Sequence, residues 1–345
     1  MTQKEPRGWF TLPAVLSVAA GLAIFIALIW KTGPQQILEG MLRVGWMFPV
    51  IVVLGGLRFL ARATAWTICV EPPQRLRVRD AFAAVLAGDA LGNITPLGPV
   101  VGEPAKAAFV RPHLPPAPAL TALAVENLLY SLATAVMIAT GTIALLFLFD
   151  LRADVRDYSE IAVLLLAGAI AVTLVILWRR PALVSRWLRV VGRPGSKLHS
   201  SSAKVRAIEE DIYSFSSRRP GAVAAAGALE IVFHALGVLE THLTLVMILP
   251  DAPPLLVSFV LETASRLVTV VFKFVPLQIG VAEGSLAGAT ELLGMGTTTG
   301  VTYSIVRKAR VVTWGIVGAI LLVRRGITPA RLRSDLELPA APTQN

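Results

Sequence analysis

The chain has 345 residues, of which 55% are hydrophobic and 16% charged, with a net charge of +10. An average soluble domain carries about 25% charged residues, so the balance excludes an ordinary water-soluble fold and points to an all-α integral membrane protein. The basic residues gather between apolar runs, where topology and anionic lipid account for them, and no nucleic-acid partner is expected.

Lys4 and Arg7 precede an apolar stretch from Trp9 to Trp30. It is longer than a signal-peptide core and no small-residue cleavage site follows, so it reads as a retained first span over 10–30. A second span is expected at 47–70 and carries Arg58 and Arg62 one turn apart. Trp9, Trp30 and Trp46 fall at span ends and read as interfacial anchors. The single Cys69 excludes an internal disulfide and a multi-cysteine metal site.

Residues 81–110 are apolar but interrupted by Pro96, Gly98, Gly102 and other prolines and glycines. Proline removes a donor and glycine loosens a helix. Unwound backbone at membrane depth persists only inside protein or beside a wet cavity. This region is therefore expected to be a helix–break–helix hairpin. Spans follow at 117–149 and 160–178, then a long loop at 179–219 with ten basic residues. Within that loop Val205, Ile208, Ile212 and Phe215 repeat at helical spacing, so 196–216 reads as an amphipathic or linker helix. A span at 221–249 precedes a second broken region, 255–296, with Pro276, Gly280 and Gly284 at its breaks. The last span is expected at 299–323, within a single polytopic domain over 1–330, and residues 331–345 form a tail.

Loop charges set the orientation. Loops 71–80 and 179–219 and the tail are rich in arginine and should be cytoplasmic, as should both termini. Loop 150–159, with Asp150, Asp154 and Asp157, should lie outside. These assignments agree only if both broken regions enter and leave on one side, the first on the cytoplasmic face and the second on the outer face. The expected architecture is therefore six transmembrane helices plus two opposed re-entrant hairpins.

The hairpins share a phrase. TPLGPVVGE runs from Thr95 to Glu103 and VPLQIGVAE from Val275 to Glu283, with Pro-Leu and the closing Glu matched at an offset of 180 residues. Matching motifs in units of opposite orientation mark inverted repeats of transporters, whose broken helices meet near the midplane.

Charges inside apolar segments are costly and are candidates for function. Glu103 and Glu283 end the repeated motifs, and Lys106 lies three residues after Glu103, placed either to act with it or to form a local pair. Arg58, Arg62, Arg266, Arg307 and Arg310 need a lipid phosphate or else carboxylates such as Glu126, Glu240, Glu262 or Glu291. Lys273 and Lys308 are further intramembrane cations. Glu230, His234, Glu240 and His242 lack the spacing of a metal site, and none is expected. No Walker, Rossmann or nucleophile-elbow motif is present, so no cofactor and no catalytic residue is expected and transport would be passive or ion-coupled.

The segments GNITPLGPVVGEPAKA and VPLQIGVAEGSLAGATELLG, with Glu126 in ALAVENLL and Glu240 in GVLETHLTLV, resemble the lysylphosphatidylglycerol synthase transmembrane-region family, also called flippase-like. The resemblance covers nearly the whole chain. No arginine follows Pro96, and Leu277-Gln278 stands where the family has Gly-Gly, which leaves the headgroup unspecified. The run Phe-Lys-Phe-Val-Pro resembles a subgroup linked to hopanoid-producing bacteria. The resemblance implies a bacterial inner-membrane domain that moves or presents an anionic lipid or lipid-linked substrate. About twenty residues follow the last expected span, so no aminoacyltransferase and no enzymatic activity is expected. The alternatives are a membrane enzyme acting on a lipid headgroup through the hairpin carboxylates, and a non-catalytic subunit that presents lipid to a separate modifying enzyme.

Overall fold

Prolines open several of the helices. A proline in the first turn has its φ already set and gives up a donor that no helix would use. The computed structural model describes Trp30 and residues 34–95, 98–149, 153–179, 197–273 and 275–325. Pro34 opens α1 (Pro34–Val44), which runs through a 3₁₀ turn at Gly45–Met47 into α2 (Phe48–Cys69), with Pro49 in its first turn. Two shorter helices follow, α3 (Val78–Ile94) and α4 (Gly98–Val110). Then come α5 (Pro116–Leu148), α6 (Ala153–Arg179), α7 (Lys197–Arg218) and α8 (Pro220–Ile248). After Pro254 come α9 (Leu255–Val271), a 3₁₀ turn at Pro276–Gln278, α10 (Val281–Leu292) and α11 (Thr297–Arg324). No strand occurs among the described residues.

Three helical stretches are long and apolar enough to cross a membrane: Pro34–Cys69, Pro116–Leu148 and Pro220–Ile248. They match the expected spans 47–70, 117–149 and 221–249 to within one residue at the C-terminal ends. The expected span at 160–178 falls in α6, whose described apolar stretch is Val163–Thr173. The span at 299–323 is a helix too, but Arg307, Lys308 and Arg310 interrupt its apolar run. The expected first span, apart from Trp30, lies outside the described residues, as do 180–196 of the basic loop, Pro96 and the tail.

Polarity is distributed inside out. Phe147, Leu164, Ile231, Ile316 and Val323 are exposed, whereas Arg58, Lys106, Glu126, Glu240, Glu262, Glu283 and Arg266 are buried. Water would penalise such an arrangement, while a lipid surround favours it.

α2 and α8 pack along each other at the centre. The α3–α4 pair lies against α2 and α11, and the α9–α10 pair against α8, α5 and α11. Gly98 and Gly102, expected as breaks, belong to α4 and let it touch α3. A Cβ on Gly98 would sit 2.5 Å from the Gly92 carbonyl oxygen, and one on Gly102 would sit 2.8 Å from that of Gly88. Small residues four apart on both helices permit this close crossing. Gly284 likewise lies within α10, not at a break. The break between α9 and α10 spans Pro276 to Gly280, where Leu277 (φ 49°), Gln278 (φ 51°) and Gly280 (φ 80°) are left-handed. Gly280 is the one of the three without a Cβ penalty there.

The amphipathic segment 196–216 is helical as α7, with Phe215 buried and Ile212 packed beside it. Arg219, just after α7, donates to the carbonyl oxygens of Val70 (2.9 Å) and Ile68 (3.3 Å) at the end of α2. Arg218 pairs with Glu71.

Candidate functional site

A cavity of about 250 Å³ opens where the two short-helix pairs meet α2 and α11. α2 contributes Arg58 and Arg62, each seated over a ring: Arg58 lies 4.4 Å from the centre of Phe233, and Arg62 lies 4.2 Å from that of Tyr130. α3 and α4 contribute Asp89, Asn93, Glu103 and Lys106. α9 and the turn after it supply Ser265, Arg266, Thr269, Lys273 and Gln278, and α11 supplies Ser304, Arg307, Lys308 and Arg310. Eight basic side chains thus line the cavity against two acidic ones, Asp89 and Glu103.

Four glutamates stand behind this lining and hold six of the eight cations in place. Glu126 on α5 accepts two parallel bonds from Arg62, at 2.7 and 2.9 Å. Glu240 on α8 pairs with Arg58 at 2.9 Å and Arg310 at 2.7 Å. Glu262 on α9 is fully buried and accepts from Arg266 (2.6 and 2.7 Å), Arg307 (2.6 Å), Thr241 (3.1 Å) and Tyr303 (3.2 Å), with Arg58 at 3.6 Å. Glu283 on α10 accepts from its own Gly280 N–H at 2.8 Å and from Lys308. Such charge-assisted, shared contacts fix guanidinium planes and leave part of each fork directed at the cavity.

Glu103 accepts from Lys106 at 2.7 Å and from the Asn127 amide at 2.8 Å. Asn93 donates to Asp89 at 2.9 Å. The wall is therefore strongly cationic with an acidic pair at one side. It can hold an anionic group against several guanidinium and ammonium donors at once. Among the described residues, no group of three His, Cys, Asp or Glu side chains is placed to hold a metal ion.

The family model described as the lysylphosphatidylglycerol synthase TM region matches residues 15–320. The chain belongs to this family. No curated protein and no solved structure matches it. Membership in the lysylphosphatidylglycerol synthase TM-region family ties this membrane domain to lipid handling.

In this family member the cavity gathers Arg58, Arg62, Glu103, Lys106, Arg266, Arg307 and Arg310 from among the residues marked in the sequence. Glu126 and Glu283 lie one layer behind, the first holding Arg62 and the second Lys308. The two motif glutamates thus differ: Glu103 reaches the cavity and Glu283 does not. Glu291 is exposed. The competing explanations of the buried arginines hold together, since the arginines pair with Glu126, Glu240 and Glu262 and still line the cavity.

Sequence reasoning missed Asp89, Asn93 and Asn127. Asp89 was findable as an acid inside the apolar run of α3. Asn127 carried no separate signal beyond its place beside Glu126. Lys273 and Lys308 were visible as intramembrane charges, but their approach to the cavity depends on the turn after α9 and on the rotation of α11.

Proposed function

We propose that the protein binds the anionic headgroup of a membrane lipid, or of a lipid-linked substrate, in this cavity and passes it between the leaflets of the bacterial inner membrane. The observation that carries the reading is the cavity wall itself, with eight basic side chains against two acidic ones, drawn from α2, α11 and both short-helix pairs. Desolvated cations in such excess stabilise an anion, and the anionic group available at membrane depth is a lipid phosphate.

The packing supports an inverted repeat as the vehicle. Equating α2 to α5 with α8 to α11 makes helix contacts recur in matched sets: α2–α3 with α8–α9, α3–α11 with α9–α5, α2–α5 with α8–α11, and α4–α5 with α10–α11. The motif glutamates follow the same rule. Glu103 bonds to Asn127, 24 residues on, and Glu283 to Lys308, 25 residues on, each on the long helix after its hairpin. On this reading the two short-helix pairs are re-entrant from opposite faces and six helices span the membrane. The arginine-rich loops and both termini are cytoplasmic.

The test is leaflet exchange of headgroup-labelled lipids in liposomes holding the purified protein. Exchange of anionic but not zwitterionic lipid, lost in the Lys106→Gln/Lys273→Gln variant, is the expected result. Anionic lipid that binds without exchanging would instead favour presentation to a separate enzyme. Neither binding nor exchange of any anionic lipid would refute the reading.

A further inference from the structure

Beside the cavity, one carboxyl group has no place in the ion-pair scheme. Glu230, on α8, has 0% exposure, and neither of its oxygens has a hydrogen-bond partner among the described residues. An ionised carboxylate so placed would carry the full cost of desolvation with no donor to offset it. The charged and titratable groups facing it are Arg62 and Cys69 on α2, Glu126 on α5 and Lys106 on α4. His234 follows one turn along α8, with Nε2 3.2 Å from the Thr134 hydroxyl and Nδ1 without a partner among the described residues. A proton on Glu230 would supply the missing donor, with the neighbouring Glu126 carboxylate, which also holds Arg62, as its acceptor.

We propose that Glu230 is a proton-binding site whose occupancy sets whether Arg62 is available to an anionic group in the cavity. The proposal rests on the reading of that cavity as an anion site. With Glu230 protonated, one carboxylate, Glu126, holds Arg62, and the rest of the guanidinium fork serves the headgroup. When the O–H bond of Glu230 breaks and the proton leaves to water, two carboxylates compete for Arg62 and draw it away from the anion. One proton therefore accompanies one anionic headgroup, and by reciprocity the headgroup holds the proton on Glu230. Lys106, paired with Glu103, faces both groups. The coupling makes lipid movement responsive to a proton gradient without a nucleotide.

Two measurements on the full chain in detergent test this. The first uses no ligand: infrared difference spectra recorded between low and high pH. A buried carboxylic C=O band that titrates, is absent from Glu230→Gln and returns at a shifted position in Glu230→Asp is the expected result. Lack of such a band, or its persistence in a folded Glu230→Gln variant, overturns the proposal whether or not lipid binds. The second uses short-chain phosphatidylglycerol, whose phosphodiester charge is constant across the range. Its affinity for the wild type should weaken by about tenfold per pH unit above the titration of Glu230, the limit for one linked proton. Glu230→Gln should bind it equally at every pH. Equal pH dependence in both proteins overturns the coupling. A titrating carboxyl in a chain that binds no anionic lipid refutes the cavity reading and the coupling with it, while the proton site stands.

Discussion

Glu262→Gln isolates the group on which the cavity's cations converge. The substitution keeps the shape of the side chain and removes its charge. Glu262 is fully buried, and Arg266 and Arg307 both bond to it within 2.7 Å, with Arg58 at 3.6 Å. Its other ligands, Thr241 and Tyr303, are neutral and can turn to a glutamine oxygen or amide. The loss is therefore electrostatic. Removing one partner of a buried ion pair costs about 3–5 kcal/mol, because the remaining charge stays buried. Arg58 retains Glu240 at 2.9 Å, which keeps the expected loss inside that range and not a multiple of it. Unfolding of the purified protein in mixed micelles, followed by helical ellipticity against denaturing detergent, measures the change. A second variant, Glu262→Gln with Arg266→Met, takes out a stranded cation and should recover part of the loss. A loss below about 1 kcal/mol, or no recovery in the double variant, would refute the argument that this carboxylate anchors a buried cationic cluster.

The motif glutamates should separate stability from function. Glu103→Gln, with its side chain 31% exposed, should lower the unfolding midpoint only modestly, through the loss of its pair with Lys106, and abolish leaflet exchange, whereas Glu283→Gln, fully buried and bonded to Gly280 and Lys308, should lower the midpoint more. Equal effects of the two on stability would contradict the difference in their surroundings. Gly318→Val should force α11 from α3, because a Cβ there would sit 2.2 Å from the Leu86 carbonyl oxygen. A loss of about 1–3 kcal/mol is expected from overpacking, and an unchanged melting profile would show that the helices do not touch as described. Arg219→Ala removes two bonds to the end of α2, at about 1 kcal/mol each, and should raise amide exchange at that helix end specifically.

The sequence was most informative where the physics is one-dimensional. Length and hydropathy located 47–70, 117–149 and 221–249, because a bilayer asks only for enough apolar residues in a row. The charge rule found the cavity arginines, since each is expensive in an apolar segment wherever it points. It could not tell lining from support. Glu103 and Glu283 occupy equal places in the repeated phrase, yet one reaches the cavity and the other is sealed behind Lys308, a difference set by the packing of α10 on α11. The glycines misled for a related reason. Gly98 and Gly102 weaken a helix in isolation, but α3 packed against α4 rewards the absence of a Cβ, so residues that read as breaks serve as contact. Pro276 and Gly280 read correctly because proline and a left-handed φ act locally.

On the proposed reading, an anion site most of whose cations already have carboxylate partners looks self-defeating until the unoccupied state is considered. Eight bare cations in a 250 Å³ cavity would repel one another and forfeit hydration, and the fold would not close around them. Glu126, Glu240, Glu262 and Glu283 neutralise much of that charge from behind, leaving the front of each fork unshielded. An arriving phosphate then competes with the resident carboxylates and does not have to create a site from nothing. Competition of this kind would keep affinity moderate, as the proposed carrier requires, since a headgroup bound too tightly on one side is not released on the other. It also places control in the carboxylates. Any event that strengthens the grip of Glu126 on Arg62, or adds a second carboxylate beside it, lowers affinity without touching the ligand. Glu230 stands where that second carboxylate would act.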